Sequence, residues 1–267
     1  AGSSRSMIAG ICRRSWNARK GRDKYVIELT NVNKTYGGTL KAVDNLSLVI
    51  PDGEIFGFLG PNGAGKTTTI KLIAGILNAD SGSIRINGKD IRKDALEAKK
   101  QIGFVPDTPN IFLRLKGIEY LNFMADMYDV STDERKERIE SLSRRFGMSD
   151  VLQDRIQSYS HGMRQKIIII GVLLHNPSVW VLDEPMTGLD PRSSFLLKEM
   201  MREHADSGNT VFFSTHVLDV AEKVCDRVAI INKGQLLFCG TMEEMKDHFK
   251  KNTSLENMFL ELTESEE

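Results

Sequence analysis

The order of apolar and polar positions divides this chain into elements. Residues 54–59 hold Ile55, Phe56, Phe58 and Leu59 almost without polar interruption, which predicts a short strand buried on both faces. Residues 69–77 carry apolar side chains at helical spacing. Upstream, 26–29 and 46–50 read as strands, with a turn at Gly37-Gly38 between them. Residues 83–88 alternate like an edge strand and close in a turn; with the two upstream strands they predict a small antiparallel sheet. Between 108 and about 150 the period changes. Leu121, Met124, Met127 and Tyr128 fall at helical spacing, and 133–138 are all charged, which predicts a separate helical lobe. Further apolar runs at 179–182, 211–214 and 228–231 predict core strands, and 232–235 is a turn signal before 236–238. The acidic tail 255–267 has Leu255, Met258, Phe259 and Leu262 at i, i+3, i+4, i+7, the stripe of an amphipathic helix.

Composition narrows the class. A chain of 267 residues with 40% hydrophobic content suits one domain with a compact subdomain. Lysine plus arginine number 36 and aspartate plus glutamate 36, a balance that argues against a nucleic-acid partner. Cys12, Cys225 and Cys239 are scattered and form no C-x-x-C, so neither a disulfide framework nor a zinc site follows and a reducing compartment is expected. The longest apolar run, 167–174, is far short of the ~20 residues of a membrane-spanning helix. Residues 1–6 resemble a cloning remnant ahead of Met7. Arg13-Arg14 is similar to a twin-arginine signal, but the charged stretch 17–24 favours a solvated basic tail.

The chemistry concentrates at Gly60, Pro61, Asn62, Gly63, Ala64, Gly65, Lys66, Thr67 and Thr68. These residues fit the phosphate-loop pattern G-x-x-x-x-G-K-[ST], between a predicted strand and a predicted helix. Small residues let successive backbone N–H groups curl around phosphate oxygens, and the helix N-terminus adds its positive end. Lys66 is expected to reach the β- and γ-phosphates and the Thr67 hydroxyl to hold Mg²⁺. The run 179–185 is an apolar strand ending in two acids. Asp183 is expected to bind Mg²⁺ through water, and Glu184 to polarise the attacking water.

Four further segments, in order, resemble the nucleotide-binding subunit of ATP-binding cassette (ABC) transporters. Residues 159–165, Tyr-Ser-His-Gly-Met-Arg-Gln, resemble the family's signature loop, usually Leu-Ser-Gly-Gly-Gln. Residues 187–190 resemble its D-loop, 214–216 its switch-histidine loop, and Tyr36 the aromatic that stacks on adenine. The resemblance runs from about residue 26 to the mid-240s. It implies an α/β fold: a P-loop ATPase core with a parallel sheet flanked by helices, a small antiparallel β subdomain lying over the adenine, and an inserted helical lobe at about 108–165. The expected organisation is a tail over 1–24, the ATPase domain over 25–248 and an acidic amphipathic tail over 249–267.

It also implies ATP and Mg²⁺ as cofactors, a second nucleotide-binding subunit, a membrane permease as partner, and a place on the cytoplasmic face of the membrane. Each subunit would be half an enzyme. Ser160 and Gly162 would donate to the γ-phosphate held by the other subunit's Lys66, Glu184 would orient water, and His216 would hold that arrangement. Phe112 and Leu113 would face the permease. Three positions depart from the family pattern. His161 stands for Gly and Met163 for Gln, a variant similar to exporters of drugs, peptides and polysaccharides. Asp107 stands for the Q-loop glutamine; it is either an oxygen ligand toward Mg²⁺ or a solvated loop acid. A non-catalytic regulatory subunit is the alternative that these departures support. A soluble ATPase of the same superfamily would usually show a second cassette, a long coiled-coil insertion or a basic face.

Overall fold

The computed structural model describes residues 25–109, 112–249 and Phe259. The Arg13-Arg14 pair, Cys12 and most of the C-terminal stripe lie outside them. Ten strands form two sheets among these residues. The larger has the order β10-β9-β3-β8-β7-β6, built from β3 (Ile55–Leu59), β6 (Ile102–Val105), β7 (Val179–Asp183), β8 (Thr210–Thr215), β9 (Arg227–Asn232) and β10 (Gln235–Gly240). All its neighbours pair parallel except β10 on β9.

Strand alternation sends side chains of this sheet into two separate cores. Phe56, Phe58, Val179, Val181, Phe212 and Ala229 face one side, where they meet Ile70, Leu72 and Ile73 of α1 (Lys66–Ile73). Ile55, Val105, Trp180, Leu182, Val211 and Phe213 face the other, against α5 (His161–Leu173) and α6 (Pro191–Asp206). The expected continuous apolar runs follow from this double burial. Phe212 stacks on Phe56 with ring centroids 5.9 Å apart, locking β8 to β3 at the sheet centre.

The smaller sheet is antiparallel, in the order β2-β1-β4-β5, with β1 (Tyr25–Tyr36), β2 (Leu40–Pro51), β4 (Ser81–Ile86) and β5 (Lys89–Asp90). The expected edge strand at 83–88 is therefore corrected. β4 pairs with β1 on one side and the two-residue β5 on the other, because the Asn87-Gly88 turn folds the chain back on itself. The helix expected from residue 69 begins at Lys66 and ends at Ile73. Its polar first turn carries no apolar periodicity, and left-handed Gly75 (φ 65°) ends it early.

The lobe consists of α3 (Gly117–Met127), α4 (Thr132–Arg145) and two short 3₁₀ turns, Ser149–Val151 and Ile156–Ser158. Leu121 is buried, Met124 and Tyr128 are half-buried, but Met127 is exposed, not part of the stripe. Tyr120 is buried, and a Cβ on Gly171 of α5 would stand 2.8 Å from its ring, so the two helices meet closely there. α2 (Ala95–Lys99), α7 (Leu218–Val224) and α8 (Met242–Phe249) complete the described helices. Phe259 packs on the cluster of Leu59, Ala221, Val228, Ile230, Phe238 and Met245. No helix among the described residues is long and apolar enough to cross a membrane.

Tyr128 stacks on His175, with ring centroids 3.6 Å apart, and so fastens the lobe to the loop after α5. Burial pushes the His175 pKa from 6.5 down to about 4; nearby Arg138 acts in the same direction and the Ile102 carbonyl opposes it. Between those two values the unfolded chain binds a proton that the folded chain does not, so stability falls as pH drops through that window. His175→Phe keeps the stack and removes the proton. We expect its denaturation midpoint to vary less with pH between 6.5 and 4 than the parent's, with burial of His204 leaving a residual slope. Identical slopes in parent and variant would remove His175 from the account.

Candidate active site

A parallel sheet brings the carboxyl ends of its strands to one edge. Here the register pairs Leu59 with Thr215, Ser214 with Asp183, and Leu182 with Val105. The loop 60–65, Glu184, His216 and Asp107 therefore leave the sheet along one line.

The glycine loop turns into α1 at Gly65, which caps the helix with φ 105°. A Cβ there would lie 2.2 Å from Ala42 O, so the β2 backbone admits only glycine. Lys66, 6% exposed, folds back over its own loop. Its Nζ donates to Gly60 O at 2.8 Å and Pro61 O at 3.2 Å, and lies 3.5 Å from Glu184 Oε1. Pro61 and Gly65 are half-buried and Asn62 and Gly63 exposed, so the loop's outer rim is open, while Gly60 and Ala64 are buried against the sheet. Thr67 and Thr68 are half-buried in the first turn of α1.

Asp183 ends β7 fully buried. Its Oδ1 accepts from the Ser214 hydroxyl at 2.6 Å, and its Oδ2 is buried without a well-formed hydrogen bond, with the Thr67 hydroxyl nearby. Burial raises its pKa; the Ser214 and Thr67 hydroxyls oppose this, and the charges of Asp107 and Glu184 reinforce it. Asp107 is exposed on the loop after β6, near enough for its charge to reach Asp183. An orphaned, fully buried carboxylate oxygen beside a threonine hydroxyl is a hard-oxygen donor set that suits Mg²⁺.

Glu184 adopts a left-handed backbone, φ 47°, which is uncommon for a residue with a side chain. The turn swings its carboxylate away from the strand's alternation and toward Lys66 and His216. His216 Nδ1 lies 3.0 Å from Glu184 Oε2. The backbone N–H of Glu184 donates to Ser214 Oγ at 3.0 Å, and its carbonyl accepts from Thr187 N at 3.1 Å. Lys66, Thr67, Asp183, Glu184 and His216 are thus brought together. Ser214, expected only as part of the 214–216 loop, turns out to bridge the two acids, its hydroxyl donating to Asp183 Oδ1 and accepting from Glu184 N. The only signal in the sequence is a hydroxyl pair, Ser214-Thr215, after the apolar run of β8, and the role of Ser214 becomes legible only once the register sets it opposite Asp183.

The remaining expected residues stand apart. Tyr36 ends β1, 40% exposed, with Lys34 Nζ 5.9 Å from its ring centre. Ser160 caps α5, its Oγ accepting from Met163 N at 3.3 Å. It is exposed and, among the described residues, makes no hydrogen bond to the glycine loop. Gly162 lies in the first turn of the same helix, against Gly188 O.

A parallel sheet with this loop after a central strand and acids after its neighbour defines a P-loop nucleotide hydrolase. Residues 43–187 match the ABC transporter family. The chain belongs to that family, as an ATP-binding, ATP-hydrolysing subunit of a transporter. It is 40% identical over 215 residues to the uncharacterized ABC transporter ATP-binding protein YhcH of Bacillus subtilis (strain 168), covering 80% of this chain and 69% of that one. It is 35% identical to the linearmycin resistance ATP-binding protein LnrL of the same organism, over 82% and 70% of the two chains. The solved ATP-binding subunit of an ABC transporter superposes with a TM-score of 0.85 at 32% identity, over 89% of this chain and 99% of that one. A dimeric, post-hydrolysis ATP-binding cassette holding ADP and Pi superposes with a TM-score of 0.73 at 25% identity, over 81% and 98%.

Ser214→Ala removes the hydroxyl donor from a buried carboxylate and the acceptor from the Glu184 N–H. We expect a loss of about 1–3 kcal/mol in unfolding free energy, together with slower ATP turnover, as read by denaturant titration and phosphate release. A fully stable variant with parental turnover would show that this hydrogen bond holds neither acid.

Proposed function

We propose that this chain powers an exporter, two copies closing face to face on two ATP molecules to build two composite catalytic sites. The observation that carries this reading is a division of labour. Lys66, Glu184 and His216 converge, while Ser160 and Gly162, which the family resemblance assigns to the same phosphate, sit on a separate exposed helix end. A helix N-terminus with free N–H groups favours an anion, and a second copy can bring one to it. The dimeric relative holding ADP and Pi supports this arrangement.

In this reading Lys66 turns from Glu184 and the Gly60 carbonyl to the β- and γ-phosphates. Glu184, released from the ammonium and held by His216, orients water in line with the γ-phosphorus. The water oxygen forms its bond as the bridging bond to ADP breaks. Thr67 and Asp183 would hold Mg²⁺, with Asp107 as a further candidate oxygen, and a bound ion would supply neutralisation of phosphate charge. The exposed ring of Tyr36 stacks on the adenine. Ser160 and Gly162 of the second copy complete the charge stabilisation in a desolvated interface.

The domain boundaries follow the same reading: one ATPase domain over 25–248, with the lobe inserted between β6 and α5. The permease contact is assigned to Phe112, which is exposed and lies 5.2 Å, centre to centre, from the ring of exposed Phe123. Leu113 is turned inward against the lobe's core and does not share it. Binding to the permease would hold the subunit on the cytoplasmic face of the membrane. Export is favoured by the Tyr-Ser-His-Gly-Met variant of the signature and by the resistance function in the name of LnrL.

ATP hydrolysis measured against protein concentration tests the composite site. We expect turnover per chain to rise with concentration, Lys66→Ala to abolish it, and Glu184→Gln to abolish it while accumulating an ATP-bound dimer. Turnover per chain independent of concentration, with no dimer in Glu184→Gln, would point to a site complete within one chain. Nucleotide binding without hydrolysis in the parent would support a regulatory subunit.

A further inference from the structure

The N-terminal half of α5 and the loop 187–190 meet at three points. A Cβ on Gly188 would stand 2.3 Å from His161 Cδ2 and 2.9 Å from its Nε2, so an edge of the imidazole lies directly on the Gly188 Cα. A Cβ on Gly162 would stand 2.8 Å from Gly188 O, so the helix backbone presses on that carbonyl. Further along the helix, Lys166 Nζ lies 3.0 Å from Asp190 Oδ2. Asp190 is also the cap of α6, accepting from Ser193 N at 2.9 Å and from the Ser193 hydroxyl at 2.7 Å. Ser193 and Lys166 together hold its carboxyl below the usual carboxylate range. Within the loop, Thr187 N donates to Glu184 O and Leu189 N to Met186 O, both local bonds.

His161 is one of the departures from the family's signature, which has glycine there. With glycine, this ring contact on Gly188 would be absent. We infer that His161 is a positioning residue: its ring, packed on Gly188, sets the 187–190 loop against α5. Gly188 must be glycine for two reasons, its left-handed φ of 77° and the absence of room beside the ring. The same loop begins three residues after Glu184, so a loop fixed on α5 links the position of the Ser160 end to that of the acid. Ser160 and the loop then face the second copy as one rigid edge. This last step rests on the composite-site reading; the packing does not.

Two measurements on the purified chain test it. Hydrogen exchange at the Leu189 amide, without nucleotide, reads the loop in the single subunit. ATP-dependent dimer formation in the Glu184→Gln background, by sedimentation, reads the edge. We expect His161→Gly to raise Leu189 exchange and weaken dimer formation several-fold each, with an unchanged thermal midpoint. His161→Phe, which restores a flat ring, should recover both. Gly188→Ala should impair both, and less severely when combined with His161→Gly, because ring and methyl compete for one space. Parental Leu189 exchange in His161→Gly, or His161→Phe behaving like His161→Gly, would overturn the positioning role. If Glu184→Gln with His161 intact forms no ATP-dependent dimer, the composite reading falls, and Leu189 exchange still decides the role of His161.

Discussion

Parallel pairing of β3, β8 and β7 is the constraint from which the site follows. In a sheet covered on both faces, a polar group within a strand faces apolar side chains, and the carboxyl edge is where charge can emerge beside backbone N–H groups. Pairing Leu59 with Thr215 and Ser214 with Asp183 puts the glycine loop, the switch histidine and the two acids on one edge. That pairing depends on bulky side chains interlocking across the strands: Phe56 and Phe58 each pack on Phe212, and Trp180 is completely buried on the opposite face. A slip of one residue would turn each of these to the wrong core and separate Ser214 from Asp183. Core packing and catalytic geometry are therefore one requirement.

Much of this was legible in the sequence, for definite reasons. A continuous apolar run, a glycine loop and a helix in succession leave few alternatives, and the strand 54–59 and the loop after it stand where the pattern places them. The core strands expected at 211–214 and 228–231 were readable from their apolar runs, and each extends by one polar residue at either end, to 210–215 and 227–232. What was not legible depends on partners distant in sequence. Met127 keeps helical spacing with Leu121 and Met124, yet it is exposed at the C-terminal end of its helix, while Tyr120, earlier in the same helix, is buried close to Gly171 of α5. β5 is two residues long and carries no period, so β4 read as an edge. Ser214 acquires its meaning from the residue opposite it on β7.

Electrostatics at the edge is arranged as a set of exchanges. Asp183, with one oxygen unpaired and its pKa raised chiefly by burial, is a carboxylate that gains from a cation. Glu184 has two cationic or hydrogen-bonding neighbours, Lys66 on one oxygen and His216 on the other. Its left-handed backbone costs of order 1–3 kcal/mol in general, and here the Ser214 and Thr187 hydrogen bonds offset it. The strain buys direction: an unstrained continuation of β7 would carry the Glu184 side chain to the opposite face from Asp183. A phosphate arriving between Lys66 and Glu184 competes for the ammonium, so occupying the nucleotide site and freeing the acid are one event in the proposed mechanism.

The N-terminal end of α5 obeys a different logic, because in the proposed composite site its residues would serve the protein and the ligand with the same groups. Ser160 uses its hydroxyl to cap α5, accepting from Met163 N, while its carbonyl accepts from Arg164 N. Gly162 is small enough for a phosphate to approach, but the Gly188 carbonyl at its back would already exclude a Cβ. A residue type at this position thus cannot be credited to ligand contact alone, and the same holds for His161, whose ring lies against the loop. The departures from the family pattern are better judged by what they touch than by what they replace. His161 meets a glycine whose backbone is shaped to receive it, and Tyr159 sends its hydroxyl 2.6 Å to the Val151 carbonyl inside the lobe. These contacts tie the loop to two neighbouring segments, the 187–190 turn and the lobe. A signature loop so anchored would move with them, which is what transmission between a permease and a shared phosphate would require.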